Sequence, residues 1–189
     1  TVIYNRVALI GLGLIASSMA LAMRAGGLAG EITGHAKSAE TREIALQIGI
    51  CDRVCATAAE AVEGADLVVL AVPVGAMAVI AEEIGPHLAP GATVTDVGSV
   101  KQAVVDAVAP HLPSRVHFIP GHPMAGTEYS GPRSGFATLY QNRWWLLTPP
   151  EGCDPAALAR LRALIEGMGA KVDTMDAGHH DLVVAVVSH

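Results

Sequence analysis

Residues 6–18 read RVALIGLGLIASS: a short apolar run, a turn with two glycines, then the start of a helical stretch rich in Ala, Leu and Met. Few arrangements constrain a chain more tightly. The run Arg6 to Ile10 fits a buried strand, and Leu14 to Ala25 fits a helix. Between them Gly11, Gly13 and Ala16 have G-x-G-x-x-A spacing. Gly11 permits the tight turn, Gly13 lets a pyrophosphate approach the backbone, and a small residue at Ala16 lets the helix pack close to the strand. The first helical turn, with Leu14 and Ile15, offers unpaired N–H groups and a partial positive charge to an anion.

The same alternation continues down the chain. Strands are expected at Glu31–Gly34, Asp66–Val72, Thr93–Val97, Val116–Ile119, Trp144–Leu147 and Lys171–Thr174. Helices are expected at about Ala39–Ile48, Pro73–Ile84, Val100–Ala109 and Pro155–Met168, with Pro73 at a first helical turn. Strands that are apolar throughout are buried on both faces, which requires helices on both sides of a mostly parallel sheet. The expected fold is therefore α/β, a doubly wound, Rossmann-type dinucleotide-binding domain over residues 1–175. Pro120 to Asn142 reads as one long loop, too long for a plain connector.

Composition excludes several classes. Hydrophobic residues make up 51% of the 189 and charged residues 16%, so a large core forms and disorder is unexpected. A formal charge of −6 argues against nucleic acid or a membrane surface as partner. No run reaches membrane-spanning length. Cys51, Cys55 and Cys153 form neither an even framework nor a C-x-x-C pair, as in a reducing, cytoplasmic compartment. His179 and His180 read as helix-start residues, and no metal site is expected.

The position that selects the cofactor carries no acid. An Asp or Glu at the end of the second strand, about 20 residues beyond the glycine turn, would bind the ribose 2′-hydroxyl of NAD. Here His35, Ala36, Lys37 and Ser38 occupy that tip, and Glu31 falls too early. NADP is the expected cofactor, with NAD the alternative. In the plainer reading Lys37 and Ser38 only begin a solvated helix. Val72 and Pro73, at the end of the third expected strand, complete the expected cofactor contacts.

Two stretches carry further chemistry: DVGSVKQAV from Asp96 and FIPGHPMAGTEYSGP from Phe118. Both follow strand ends, where ligands bind in open α/β sheets. Ser99 and His122 can therefore converge on one ligand. Together with GLGLIASS, NRWWLLTP and HHDLVVAVVSH, these stretches make the chain resemble the prephenate and arogenate (cyclohexadienyl) dehydrogenases of tyrosine biosynthesis.

The resemblance implies oxidative decarboxylation of prephenate or arogenate, with hydride leaving ring C4 for the cofactor. It implies His122 as general base at the C4 hydroxyl, a role that suits a side chain of pKa near about 6.5. Ser99 matches the serine that hydrogen-bonds the same hydroxyl. It could also cap the following helix. Thr127 and Glu128 are expected to line the substrate pocket or to stabilise the loop. His189 matches a histidine near the substrate, and Lys101 reads as solvated, with a supporting role at the site as the alternative. The apolar run from Leu182 suggests a helix at residues 176–189 leading into the family's helical dimerisation domain, absent here; a homodimer is then expected. A cofactor-sensing module without turnover, or another small-substrate dehydrogenase of the same fold, is the alternative.

Overall fold

The computed structural model describes residues 1–187. Six strands form a wholly parallel sheet: β1 (Tyr4–Ile10), β2 (Ala29–His35), β3 (Arg53–Val54), β4 (Leu67–Leu70), β5 (Thr93–Asp96) and β6 (His117–Phe118). Their spatial order is β3-β2-β1-β4-β5-β6. The order reverses between β1 and β4, which creates the crevice where ligands of doubly wound sheets bind.

Successive side chains of the central strands enter different cores, as a two-residue period requires. Val7 and Leu9 of β1, with Leu67 and Val69 of β4, join a core with Met19 and Met23 of α1 (Leu14–Gly26) and Leu161 and Ile165 of α6 (Pro155–Gly167). Ala8, Ile10, Val68 and Leu70 face the other way. They pack with Ala61 of α3 (Ala58–Val62), Met77 of α4 (Val74–Ile84) and Val104 of α5 (Gln102–Val108). Both faces are thus covered, which explains the uninterrupted apolar strands.

Several boundaries differ from the sequence reading. The second strand starts at Ala29, and the third is confined to Leu67–Leu70. Strand β3 and helix α3 lie where no element was expected, and α2 spans Ala39–Gln47. The stretch from Pro120 to Asn142 is not one loop. It holds strand β7 (Gly121–Pro123) and a 3-10 turn at Pro132–Ser134. Strand β7 pairs antiparallel with β8 (Trp144–Leu147), and β8 pairs parallel with β9 (Lys171–Thr174), giving a second, three-stranded sheet. The rest of the segment folds over α1: Tyr140 Oη donates to the carbonyl of Ile15, and Ser18 Oγ accepts from the Phe136 N–H. Helix α7 (Ala177–Val187) closes the described chain. The Thr127–Glu128 stretch is exposed, and His189, expected near the substrate, lies outside the described residues.

Candidate active site

The glycine turn is built as its spacing predicts. Gly11 has φ +98°, and a Cβ there would lie 2.3 Å from the carbonyl oxygen of Ala71. A Cβ on Gly13 would meet nothing within 4 Å. Gly13 is the N-cap of α1 and supplies no side-chain cap, so the helix N-terminus opens onto free space. Ala16 is fully buried in the core between helix and sheet. This cradle fits a pyrophosphate: the donors face an empty volume, and only a glycine keeps it empty.

Beside the turn lies a cleft of about 260 Å³, lined by Gly11, His35, Ala36, Lys37, Val72, Pro73, Ala76 and Ile80. It straddles the ends of β1, β2 and β4. Six of these eight were expected to contact the cofactor. Ala76 and Ile80 were missed, although Pro73, Ala76 and Ile80 fall at helical spacing on one face of α4. Ring Nδ1 of His35 lies 3.0 Å from the carbonyl of Cys55, which fixes the imidazole at the cleft wall. Ser38 does not line this cleft; its Oγ accepts from the Thr41 N–H and caps α2. Leu14 and Ile15 lie in the first turn of α1, outside the cleft lining.

Among the described residues no acid lines the cleft. Glu31 is paired with Arg6 at 2.9 Å and Arg53 at 3.6 Å. Arg42 Nη1 donates to the carbonyls of Ala36 and Lys37, at 2.8 and 3.3 Å, and fastens the strand tip.

At the carboxyl end of β5 the structure corrects the reading of Lys101. It is not solvated: its side chain is fully buried, with Nζ 2.5 Å from Asp96 Oδ2 and also donating to the carbonyl of Gly121. Asp96 Oδ1 accepts from the Gly121 N–H and Oδ2 from the Gly98 N–H. Burial pushes the Asp96 carboxyl up and the Lys101 ammonium down, and their mutual attraction opposes both shifts. The pair pins β7, and with it the neighbouring His122, to the end of β5.

Ser99 does not cap α5. Its side chain is exposed and makes no hydrogen bond among the described residues; Lys101 is the N-cap residue. The cap comes from α7 instead. Asp181 Oδ1 accepts from the Lys101 N–H at 2.7 Å, and Oδ2 from the Gln102 N–H at 3.1 Å. Burial works to raise the Asp181 carboxyl, but these donors and His180 outweigh it and hold it below the ordinary carboxylate range.

His122 is half-buried, and Nδ1 of its ring lies 2.9 Å from Nε2 of His180. The two rings meet edge to face, with centroids 5.1 Å apart. His180 is fully buried, and its Nδ1 lies 2.8 Å from Asp181 Oδ1. Burial above all, with the Lys101 charge beside it, pushes the His122 pKa down from 6.5 to about 4. At neutral pH the ring is therefore uncharged. His180, Asp181 and Asp96 were missed as site residues, and Lys101 was given a supporting role only as the alternative to a solvated one. The signal was present in HHD, directly before the apolar run, and in the Asp and Lys flanking GSV. Thr127 Oγ1 accepts from the Tyr129 N–H, a local loop bond.

A glycine-turn cradle at the switch point of a 3-2-1-4-5-6 parallel sheet, with a neutral histidine at the same carboxyl edge, defines a Rossmann-type nucleotide-binding domain that carries a candidate base. The chain belongs to the prephenate dehydrogenase family: residues 19–174 match the family described as "Prephenate dehydrogenase, nucleotide-binding domain". It is 38% identical over 187 residues to the cyclohexadienyl dehydrogenase of Zymomonas mobilis, covering 99% of this chain and 64% of the relative. It is 37% identical over 186 residues to the prephenate dehydrogenase of Bacillus subtilis, covering 98% and 50%. Prephenate dehydrogenase from Aquifex aeolicus, solved with hydroxyphenyl propionate and NAD+, superposes with a TM-score of 0.90 at 34% identity, covering 98% of this chain and 64% of that one. Synechocystis arogenate dehydrogenase gives 0.89 at 33%, covering 97% and 64%. The chain thus spans between half and two thirds of the length of these relatives.

Proposed function

We propose that this chain is the cofactor-binding, base-carrying part of a dehydrogenase that oxidatively decarboxylates prephenate, arogenate or both. The observation that carries the reading is His122: a neutral ring at the carboxyl edge of the sheet, whose Nε2 has no partner among the described residues. A nicotinamide dinucleotide, seated on the Gly11–Gly13 turn, supplies the hydride acceptor. His122 accepts the proton of the ring hydroxyl as hydride leaves C4, and returns it to the phenolic oxygen as the ring carboxylate departs as CO₂. Ser99, on the β5–α5 turn, donates to that oxygen in the ligand-bound state, and Thr127 and Glu128 serve the substrate pocket; the substrate role of His189 falls outside the described residues.

NADP is the proposed cofactor, because Ala36 stands where an acid would hold the NAD ribose and Lys37 is, among the described residues, the one fixed charge lining the cleft. The acting protein is proposed as a cytoplasmic homodimer. Supporting this are three free cysteines and the exposure of Leu182, Val186 and Val187 on α7, at 63%, 69% and 71%. The test is turnover by the natural full-length protein, following reduced cofactor and CO₂ with each substrate. Absence of turnover with both substrates and both cofactors overturns the reading.

A further inference from the structure

We propose that His180 and Asp181 form a relay that fixes the tautomer of His122, so that helix α7 sets the base in its working form. The proposal rests on His122 being the base. Its direction follows from donor and acceptor inventories. Asp181 already accepts two backbone N–H groups from α5 and, as a carboxylate, can only accept. The 2.8 Å contact to His180 therefore requires the proton on His180 Nδ1. A neutral His180 then has a bare Nε2, which accepts across the 2.9 Å contact from His122 Nδ1–H. His122 is left with Nε2 unprotonated, the nitrogen a base needs.

The two residues do not touch the reacting atoms; they are positioning residues. The proton taken at Nε2 stays on His122 until the phenolic oxygen reclaims it, so none has to pass along the chain. The transient imidazolium keeps its Nδ1–H bond to His180, and the Asp181 charge lies one ring further on. Full burial of His180 keeps water from competing for either contact. The same carboxylate caps α5, directly after the GSVK turn. One side chain of α7 therefore joins the base, the turn bearing Ser99 and the buried Lys101. No signal in the sequence pairs residues 122 and 180, because they meet only when α7 docks against α5.

Side-chain ¹⁵N NMR of the histidines reads the tautomers without any assay. The expected result at neutral pH is a protonated Nδ1 and bare Nε2 on both rings. A proton on Nε2 of His122, or protons on both nitrogens of His180, overturns the proposal. Kinetics on the natural full-length protein give a second arm. His180→Phe should lower kcat at least about tenfold, toward the ~10⁴-fold that a wrong tautomer can cost, with KM for substrate and cofactor unchanged. His180→Gln, which restores an acceptor, should recover most of that loss. Wild-type kcat in His180→Phe overturns the relay while His122→Asn remains inactive. Retained turnover in His122→Asn instead removes the functional reading itself. If His180→Phe does not fold, the NMR of the unmodified protein still decides.

Discussion

Nζ of Lys101 lies 2.5 Å from Oδ2 of Asp96, and neither side chain is exposed to solvent. The pair links β5, the turn after it and β7 through four polar contacts. Removing one partner of such a pair leaves an uncompensated buried charge, which typically costs about 3–5 kcal/mol. Lys101→Met should therefore lower the unfolding free energy by about that amount in denaturant titration. Lys101→Met combined with Asp96→Leu should be less destabilised than the sum of the two single variants. Strict additivity would show that the two groups act independently.

The two glycines of the turn should fail in different ways. An alanine at Gly11 must hold φ +98° and clear a carbonyl oxygen 2.3 Å from its Cβ. Gly11→Ala should lose about 2 kcal/mol or more of stability. Gly13 has φ −90°, which alanine tolerates, and open space around its Cβ. Gly13→Ala should melt within a few degrees of the parent yet weaken dinucleotide binding at least about tenfold, equivalent to about 1.4 kcal/mol. Calorimetry and cofactor titration on both variants check the contrast. Equal affinity in Gly13→Ala would mean that no phosphate approaches that atom.

His122→Asn should keep cofactor binding and lose about 10²–10⁴ in kcat, the usual contribution of a general base. Ser99→Ala should cost less, since the base remains. The pH profile carries an independent signature. Burial and the Lys101 charge lower the pKa of His122, Asp181 opposes them, and the result is about 4. The base is therefore lost only as pH falls through about 4, not through 6.5, and the acid limb of kcat/KM should lie well below 6.5. The sign for stability agrees. A depressed folded pKa contributes stability that is full above 6.5 and lost as pH falls toward 4, where the unfolded chain binds the extra proton. An acid limb at or above 6.5 would contradict the neutral ring.

The parts of this molecule that were legible in the sequence are those written in local pattern. Uninterrupted apolar runs marked β1, β4 and β8, and the glycine spacing marked the turn. Strand β3 was missed because two residues at a sheet edge, Arg53 and Val54, show no periodicity. Helix α3 has only five residues, yet its start was readable: Thr57 and Glu60 have capping-box spacing, and Thr57 Oγ1 accepts from the Glu60 N–H as N-cap. The charged core was not readable. A lysine just before a helix looks solvated until the turn after β5 folds back and places Asp96 against it. The His122–His180 contact joins β7 of the second sheet to α7 and depends on the docking of that helix, which no local pattern encodes.

The cofactor preference turns on Ala36, a wall of the cleft only 8% exposed. The natural full-length protein should favour NADP over NAD in kcat/KM, and Ala36→Asp should reverse the preference. The new carboxylate could accept from the NAD ribose hydroxyl, worth roughly 1.5–3 kcal/mol for a charged acceptor. The same group would face the 2′-phosphate of NADP, where each unit-charge pair at about 4 Å repels by about 4 kcal/mol at an effective dielectric of about 20, less where water screens it. Repulsion exceeds the gained contact, so most of the switch should appear as a loss of NADP. The nearby positive groups divide the remaining work. Arg42 spends part of its guanidinium on the carbonyls of Ala36 and Lys37, so its loss should loosen the turn and weaken both cofactors. Lys37 makes no such bond among the described residues, and Lys37→Ala should raise KM for NADP several-fold while leaving KM for NAD nearly unchanged. Steady-state kinetics with both cofactors on these variants separate the two roles. An unmodified enzyme that prefers NAD would overturn the assignment and make His35, already fixed at the cleft wall by the Cys55 carbonyl, the residue that holds the ribose.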